Sequence, residues 1–197
     1  MKKKKYRLKF KRVNIDNISD RLLLINLYFT QGLTLTIALI MLFFQQRVPP
    51  GLFSPLSNYE TWLWWGLGFA IVLMLLDLVL SQFVPEHVID DGGVNEKIFG
   101  NRNILHIAVL SFIVAFCEEM LFRGALQHAW GNYWTSVFFA AIHFRYLQHW
   151  LMTSIVFASS FGLGYIYDVT GTLWAPIFAH FLIDFISGCV LRFRRKK

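Results

Sequence analysis

The sequence predicts an all-α fold: a polytopic membrane helical bundle of about six transmembrane helices. Three observations carry that expectation. Of 197 residues, 56% are apolar and 16% charged, with a mean hydropathy of +0.48, far more apolar than an ordinary soluble domain. The apolar residues gather into runs long enough to cross roughly 30 Å of hydrocarbon as helices. The basic residues collect at the chain ends, with nine of the 19 Lys and Arg in Met1–Arg21 and five more in Arg192–Lys197.

The first run, Leu22–Phe44, follows a basic segment, Met1–Arg12, as a signal peptide would. It lies too far in and is too long for a cleaved apolar region, and no small-residue cleavage site follows, so a retained helix is expected. Trp62–Phe83 is the second span, with Asp77 near its cytosolic end. Val84–Asn103, with Asp90, Asp91, Gly92 and Gly93, has the composition of a surface connection. Ile104–Phe122, running on to about Trp130, is the third span. Tyr133–Tyr146 is a short fourth segment that carries His143 and Arg145. Trp150–Tyr167 is the fifth; its Ser and Gly content suits helix–helix contact. Leu173–Leu191 is the sixth. Trp62, Trp64, Trp65, Trp130, Tyr133 and Trp134 stand at span ends, where aromatic belts form.

The chain therefore divides into residues 1–103 (basic tail, two helices and a polar loop), a four-helix core over 104–191, and a basic tail over 192–197. A net charge of +7 raises the question of nucleic acid, but basic clusters beside apolar helices fit positive-inside orientation and anionic lipid headgroups instead. A multi-pass protein of the cell membrane with both termini cytoplasmic is expected, and nucleic acid is not an expected partner. Both termini on one side require an even number of crossings, so Tyr133–Tyr146 is expected to cross. Cys117 and Cys189 fall inside spans with no metal-ligand or disulfide spacing, as small buried hydrophobes do.

Ionisable side chains inside a bilayer are costly and need a partner or a function. Glu119 and Arg123, four residues apart, share a helix face and can pair. Glu118, about 100° round the helix, points elsewhere and has no local cation. An unpaired carboxylate in a dry setting is suited to act as a general base. The fourth segment adds His143, and the sixth adds His180 with Asp184 one turn on. At about 1.5 Å per residue, His143 lies about 15 Å and His180 about 10 Å below the outer boundary, and Glu118 falls in a similar band. Three helices thus bring ionisable groups to comparable depth. A packing role remains the plain alternative for the Glu119–Arg123 pair or for either histidine alone. Asp77 can reach water, and His87, His106, His128 and His149 near loops or span ends are assigned no role.

Glu118-Glu119-x-x-x-Arg123, Phe139-x-x-x-His143 and His180-x-x-x-Asp184, in that order on successive apolar helices, resemble the three-motif signature of the CAAX-protease and bacteriocin-processing family. Phe122-Arg123-Gly124 and the run from Gly171 to Pro176 fit it as well. The resemblance covers residues 104–191 and implies an intramembrane endopeptidase that works through a Glu-activated water. It implies Glu118 as general base and His143 as the residue that binds and orients the water. His180 and Asp184 would stabilise the oxyanion of the tetrahedral intermediate, while Glu119 and Arg123 support the site. The prenyl-protein proteases of the family typically have Asn where this chain has Asp184. An ionised Asp donates no hydrogen bond, so Asp184 is either protonated or orients His180 from one helical turn away. No cofactor is required on this reading. Zinc on Glu118, His143 and His180 is the alternative, although no HExxH helix is present.

The expected substrate is a peptide or the end of a membrane-associated protein. The short form and basic ends look bacterial, which argues against prenylated substrates. Two rivals come from other classes: a catalytically silent membrane adaptor or bacteriocin-immunity protein using the same polar pocket, and a proton-coupled transporter using Glu118 and Asp77. A transporter would be expected to show two related halves, and no such symmetry is visible.

Overall fold

A computed structural model describes residues 18–47, 49–54, 59–85, 93–144, 146–147 and 149–194. The basic segment Met1–Arg12, the last three residues of the C-terminal tail, and His87, Asp90, Asp91, Gly92 and Arg145 lie outside the described residues. Helices run in the order α1 (Asp20–Phe44), α2 (Pro49–Leu52), α3 (Tyr59–Phe83), α4 (Val94–Phe99), α5 (Ile104–Glu119), α6 (Gln127–Ile142), α7 (Trp150–Thr170) and α8 (Trp174–Arg194). A π-helical segment, Met120–Leu126, joins α5 directly to α6. No strand occurs among the described residues. The protein is an all-α polytopic bundle.

Local chemistry sets the helix ends. The Ser19 hydroxyl accepts from the Leu22 N–H at 3.2 Å and caps α1. Asn103 does the same for α5, accepting from His106 N–H at 2.7 Å. Both caps satisfy donors that have no partner in the first turn. Gly171 ends α7 in the left-handed conformation (φ 66°), its N–H bonded to Tyr167 O at 2.8 Å. A C-terminal glycine takes that conformation without a Cβ penalty.

Five helices are long and apolar enough to cross a membrane, and one of them, Ile104–Ile142, extends over 39 residues. A straight helix of that length would reach about 58 Å, nearly twice a bilayer core. It does not run straight. Gly131 adopts φ 75° and ψ 168°, a conformation essentially confined to glycine, and the chain folds back on itself. The Phe122 and Phe139 rings consequently meet edge to face at 4.7 Å, and Trp130 meets Phe138 at 5.6 Å.

The fourth segment expected from the sequence is thus a separate limb, but its helix is only Asn132–Ile142, about 16 Å of rise. That is half a crossing. Successive three-residue turns, Tyr146 N–H to His143 O and His149 N–H to Tyr146 O, carry the chain on to α7. The bundle of about six helices expected from the sequence is present as five long helices and this short limb. A glycine turn followed by eleven helical residues has no hydropathy signature of its own.

The side chains turned outward on α1 and α3, among them Phe29, Phe43, Val72 and Phe83, are broadly exposed, as a lipid-facing surface is. Between helices, lipid supplies no hydrophobic drive, so close packing and polar contacts must hold the bundle. α5 and α3 both pack on α8, and the returning limb packs on α7. Gly66 lets α3 approach α8 so closely that a Cβ there would sit 2.9 Å from Ala175 O. The main apolar core, including Leu42, Leu52, Phe122, Leu126, Phe139, Leu173 and Ile177, surrounds the π segment.

Candidate active site

Five of the six singled-out residues are carried by rigid helix. Glu118 and Glu119 end α5, Arg123 sits in the π segment, and His180 and Asp184 lie one turn apart on α8. His143 follows the returning limb, as the first residue after its last helical turn.

The π segment, itself entirely buried, is the pivot of the site. Its wider turn frees carbonyl groups that a regular helix would pair, and such segments recur at functional sites. Here side chains from the end of α1 occupy them. Gln45 Nε2 donates to Ala125 O at 3.0 Å, and Arg47 Nη1 donates to Gly124 O. Arg47 Nη2 donates onward to the Tyr167 hydroxyl at 3.1 Å on α7. One step along the π segment, Gln127 Nε2 donates to Gly164 O (3.0 Å) and to Asp168 Oδ1 (2.8 Å).

Glu119 and Arg123 pair as their spacing predicts, with both side chains wholly buried: Nη1 to Oε1 and Nε to Oε2 are each 3.1 Å. The guanidinium also donates through Nη2 to Ser160 O (2.7 Å) and Ser160 Oγ (2.9 Å), and it lies 5.4 Å from the centre of the Phe139 ring. A buried charge needs such partners to be tolerated, although Arg123 Nε and Glu119 Oε2 meet as an ion pair without a hydrogen bond. Glu119 has a further partner that spacing alone did not indicate: His180 Nδ1 donates to Glu119 Oε1 at 2.8 Å. The first and third motifs are therefore joined through Glu119. On the other side of the ring, His180 Nε2 is 3.5 Å from Asp184 Oδ2, a long contact for a hydrogen bond.

Glu118, about 100° further round α5 than Glu119, makes none of these hydrogen bonds. It is half-buried, and Gln31 Nε2 of α1 donates to its Oε1 at 3.2 Å. His143 has left helical geometry (φ −80°, ψ 49°) and lies against its own last turn, Nδ1 donating to Phe139 O at 2.7 Å. A carbonyl only accepts, so the proton is on Nδ1. In the neutral ring Nε2 then carries the lone pair. Phe139 packs on Phe122, so His143, one turn below it, stands at about the level of Glu118, one turn below Phe122. The structure thus gathers Glu118, Glu119, Arg123, His180 and Asp184 around the end of α5 and sets His143 at the same depth. No hydrogen bond between described residues links His143 to the others.

Asp77 is not brought to the site. It lines an apolar cavity of about 140 Å³ between α3, α7 and α8, with Leu73, Met152 and Ile155 among its walls. Cys117 is buried and Cys189 half-buried, both free thiols. His106 bonds the Tyr28 hydroxyl at 3.2 Å. Gln31 and Ser160 were missed from the sequence. A signal existed for Gln31, one of two amides, with Asn26, in the apolar run Leu22–Phe44. In the sequence Ser160 is one of several small residues suited to helix packing, and only the fold reveals that Arg123 uses it.

Zinc can be tested against the geometry. Among the described residues no three His, Cys, Asp or Glu side chains converge as a metal site. Both nitrogens of His180 face carboxylates, and the Nδ1 proton of His143 is held by a carbonyl. These side chains as placed do not fit the ion.

Helices of membrane-spanning length around a buried carboxylate–imidazole–guanidinium cluster define a polytopic membrane protein with a polar centre. A family model described as type II CAAX prenyl endopeptidase Rce1-like matches residues 100–186. Over 131 residues, 66% of this chain and 69% of its relative, the sequence is 47% identical to the uncharacterized protein YpbD of Bacillus subtilis (strain 168). The chain belongs to the Rce1-like family of CAAX-type endopeptidases and is a membrane protein. No solved structure matches it.

Proposed function

We propose that this chain is an intramembrane endopeptidase that hydrolyses a peptide bond through a water activated by Glu118. The observation that supports the proposal is the buried cluster of Glu119, Arg123, His180 and Asp184, with Glu118 adjacent on α5 and His143 one turn past Phe139, which packs on Phe122.

In the proposed reaction, water gives a proton to Glu118 while its other hydrogen is held by His143 Nε2. Its oxygen bonds to the scissile carbonyl carbon, and the carbonyl π electrons move onto oxygen. The resulting oxyanion is met by His180 Nε2–H, whose 3.5 Å approach to Asp184 is loose enough to give way. Donors aimed at developing charge in a dry site are worth more than in water. Glu118 then passes its proton to the departing amine as the C–N bond breaks. Asp184 turns and charges His180, and Glu119 with Arg123 holds the end of α5 in place. The mechanism requires no metal or other cofactor.

The proposed substrate is a peptide or the end of a membrane-associated protein; a prenyl group is not part of the proposal. Both termini are proposed to be cytoplasmic, with the basic ends on anionic headgroups. The test compares membrane and secreted peptides from cells carrying the wild-type protein with those carrying Glu118→Ala at equal abundance. A product lost in Glu118→Ala and in His143→Ala supports the proposal. If no peptide changes while a null strain keeps a phenotype, the protein is a non-catalytic adaptor or immunity protein.

A further inference from the structure

Gln31 lies in α1, outside the residues that the family model matches, and is 8% exposed. A buried amide costs free energy unless both its ends are bonded. Its Nε2 donates to Glu118 Oε1 at 3.2 Å, whereas its Oε1 has no partner among the described residues. Stability therefore gives a poor account of glutamine here. An apolar side chain of equal length would fill the space and bury no unbonded carbonyl. What glutamine adds is a fixed donor to one oxygen of Glu118. Glu118 is only half-buried and, unlike Glu119, is hydrogen-bonded by no arginine or histidine among the described residues; the bond from Gln31 is what fixes the orientation of its carboxylate.

We propose that Gln31 is a positioning residue that clamps one carboxylate oxygen of Glu118, so that the other is presented to the attacking water. This inference rests on the endopeptidase reading above and extends the working site to α1, beyond the four-helix core. Holding a base in its reactive orientation acts on the chemical step and leaves substrate binding alone.

The experiment uses the full chain in lipid vesicles and, as probe, the peptide spanning the cleavage site found by the Glu118→Ala comparison. Gln31→Met keeps the volume and removes both polar atoms. It is expected to lower kcat by about 10- to 100-fold, the range for a hydrogen bond to a charged group, with KM within twofold. The thermal midpoint is expected to stay level or rise, since a half-satisfied amide has been removed. In a Glu118→Asp background, where the shortened carboxylate is out of reach, Gln31→Met is expected to add little further loss. A kcat within threefold of wild type overturns the inference, as does a fall that follows the folded fraction or a full additive loss on Glu118→Asp. If Gln31→Met does not fold, Gln31→Asn, which keeps the amide but retracts it, is measured against the same thresholds. A product that depends on Glu118 but not on Gln31 overturns the inference alone. If no product depends on Glu118, both readings fail.

Discussion

Arg123 offers the sharpest test of what holds the site. In Arg123→Met the apolar stem is kept and the guanidinium removed, leaving Glu119 wholly buried without its 3.1 Å partners. Ser160 Oγ loses its donor as well. Breaking one side of a buried ion pair costs about 3–5 kcal/mol. The low end, about 3 kcal/mol, is expected, because His180 Nδ1 still donates to Glu119 at 2.8 Å. For a chain of this size that is a fall in Tm of about 6–12 °C. The protein supplies its own reporter, since the buried Cys117 thiol becomes reactive on unfolding; a thiol dye on heated, detergent-solubilised protein reads the transition in a Cys189→Ala background. Arg123→Lys keeps the charge but cannot fork to both Glu119 and Ser160, so an intermediate loss is expected. Combining Arg123→Met with Glu119→Leu is expected to cost less than the sum of the two, because each removes the buried group that the other leaves unpaired. A loss below about 1 kcal/mol for Arg123→Met would refute the reasoning and mean that this pair does not hold the site together.

Glycine substitutions separate close packing from backbone geometry. Gly66→Ala, whose Cβ would lie 2.9 Å from Ala175 O, is expected to destabilise by about 1–3 kcal/mol, while Gly68→Ala, with nothing within 4 Å, leaves the melt unchanged or raised by the better helix propensity of alanine. Gly131→Ala meets no atom within 4 Å yet must hold φ 75°, so a loss of about 1–3 kcal/mol from strain alone is expected in the same melt. At the site, Asp184→Asn is expected to change kcat less than tenfold, because a loose 3.5 Å contact is replaced by an amide that can still orient His180. Asp184→Ala is expected to lower kcat more; equal effects of the two would remove Asp184 from the proposed mechanism.

Much of this was legible in the sequence because a bilayer leaves few solutions. Apolar runs of about twenty residues must be helices, and a carboxylate four residues from an arginine must meet it on one face. That logic found Glu119–Arg123 and the separate direction of Glu118, both of which rest on i, i+4 geometry within a single helix. It could not reach contacts between helices, since spacing carries no information about which faces meet. Glu119–His180, Arg123–Ser160 and Gln31–Glu118 all join different helices. The π segment was also invisible, because its residues are as apolar as their neighbours and its extra residue per turn is stabilised from outside, by Gln45 and Arg47.

The half-length limb has a physical reason that ties the fold to the proposed chemistry. A full transmembrane helix would hold His143 in regular backbone, its imidazole constrained to the face that residue 143 happens to occupy. Ending the helix at Ile142 frees the last carbonyls, and unpaired carbonyls at membrane depth are tolerated only where protein satisfies them. His143 supplies that satisfaction itself, donating Nδ1–H to Phe139 O at 2.7 Å. The same bond that caps the limb selects the tautomer with a lone pair on Nε2. Capping and the proposed catalytic role therefore depend on one proton, which makes His143→Asn and His143→Gln informative together. Asn, short enough to bond its own last turn, is expected to keep the melt within about 1 kcal/mol, the usual worth of a cap, yet to lose turnover. Gln is expected to lose turnover too, because neither amide presents a nitrogen lone pair to the water. If either variant kept turnover within tenfold of wild type, an imidazole lone pair would not be needed, and the water would have to be held by Glu118 alone.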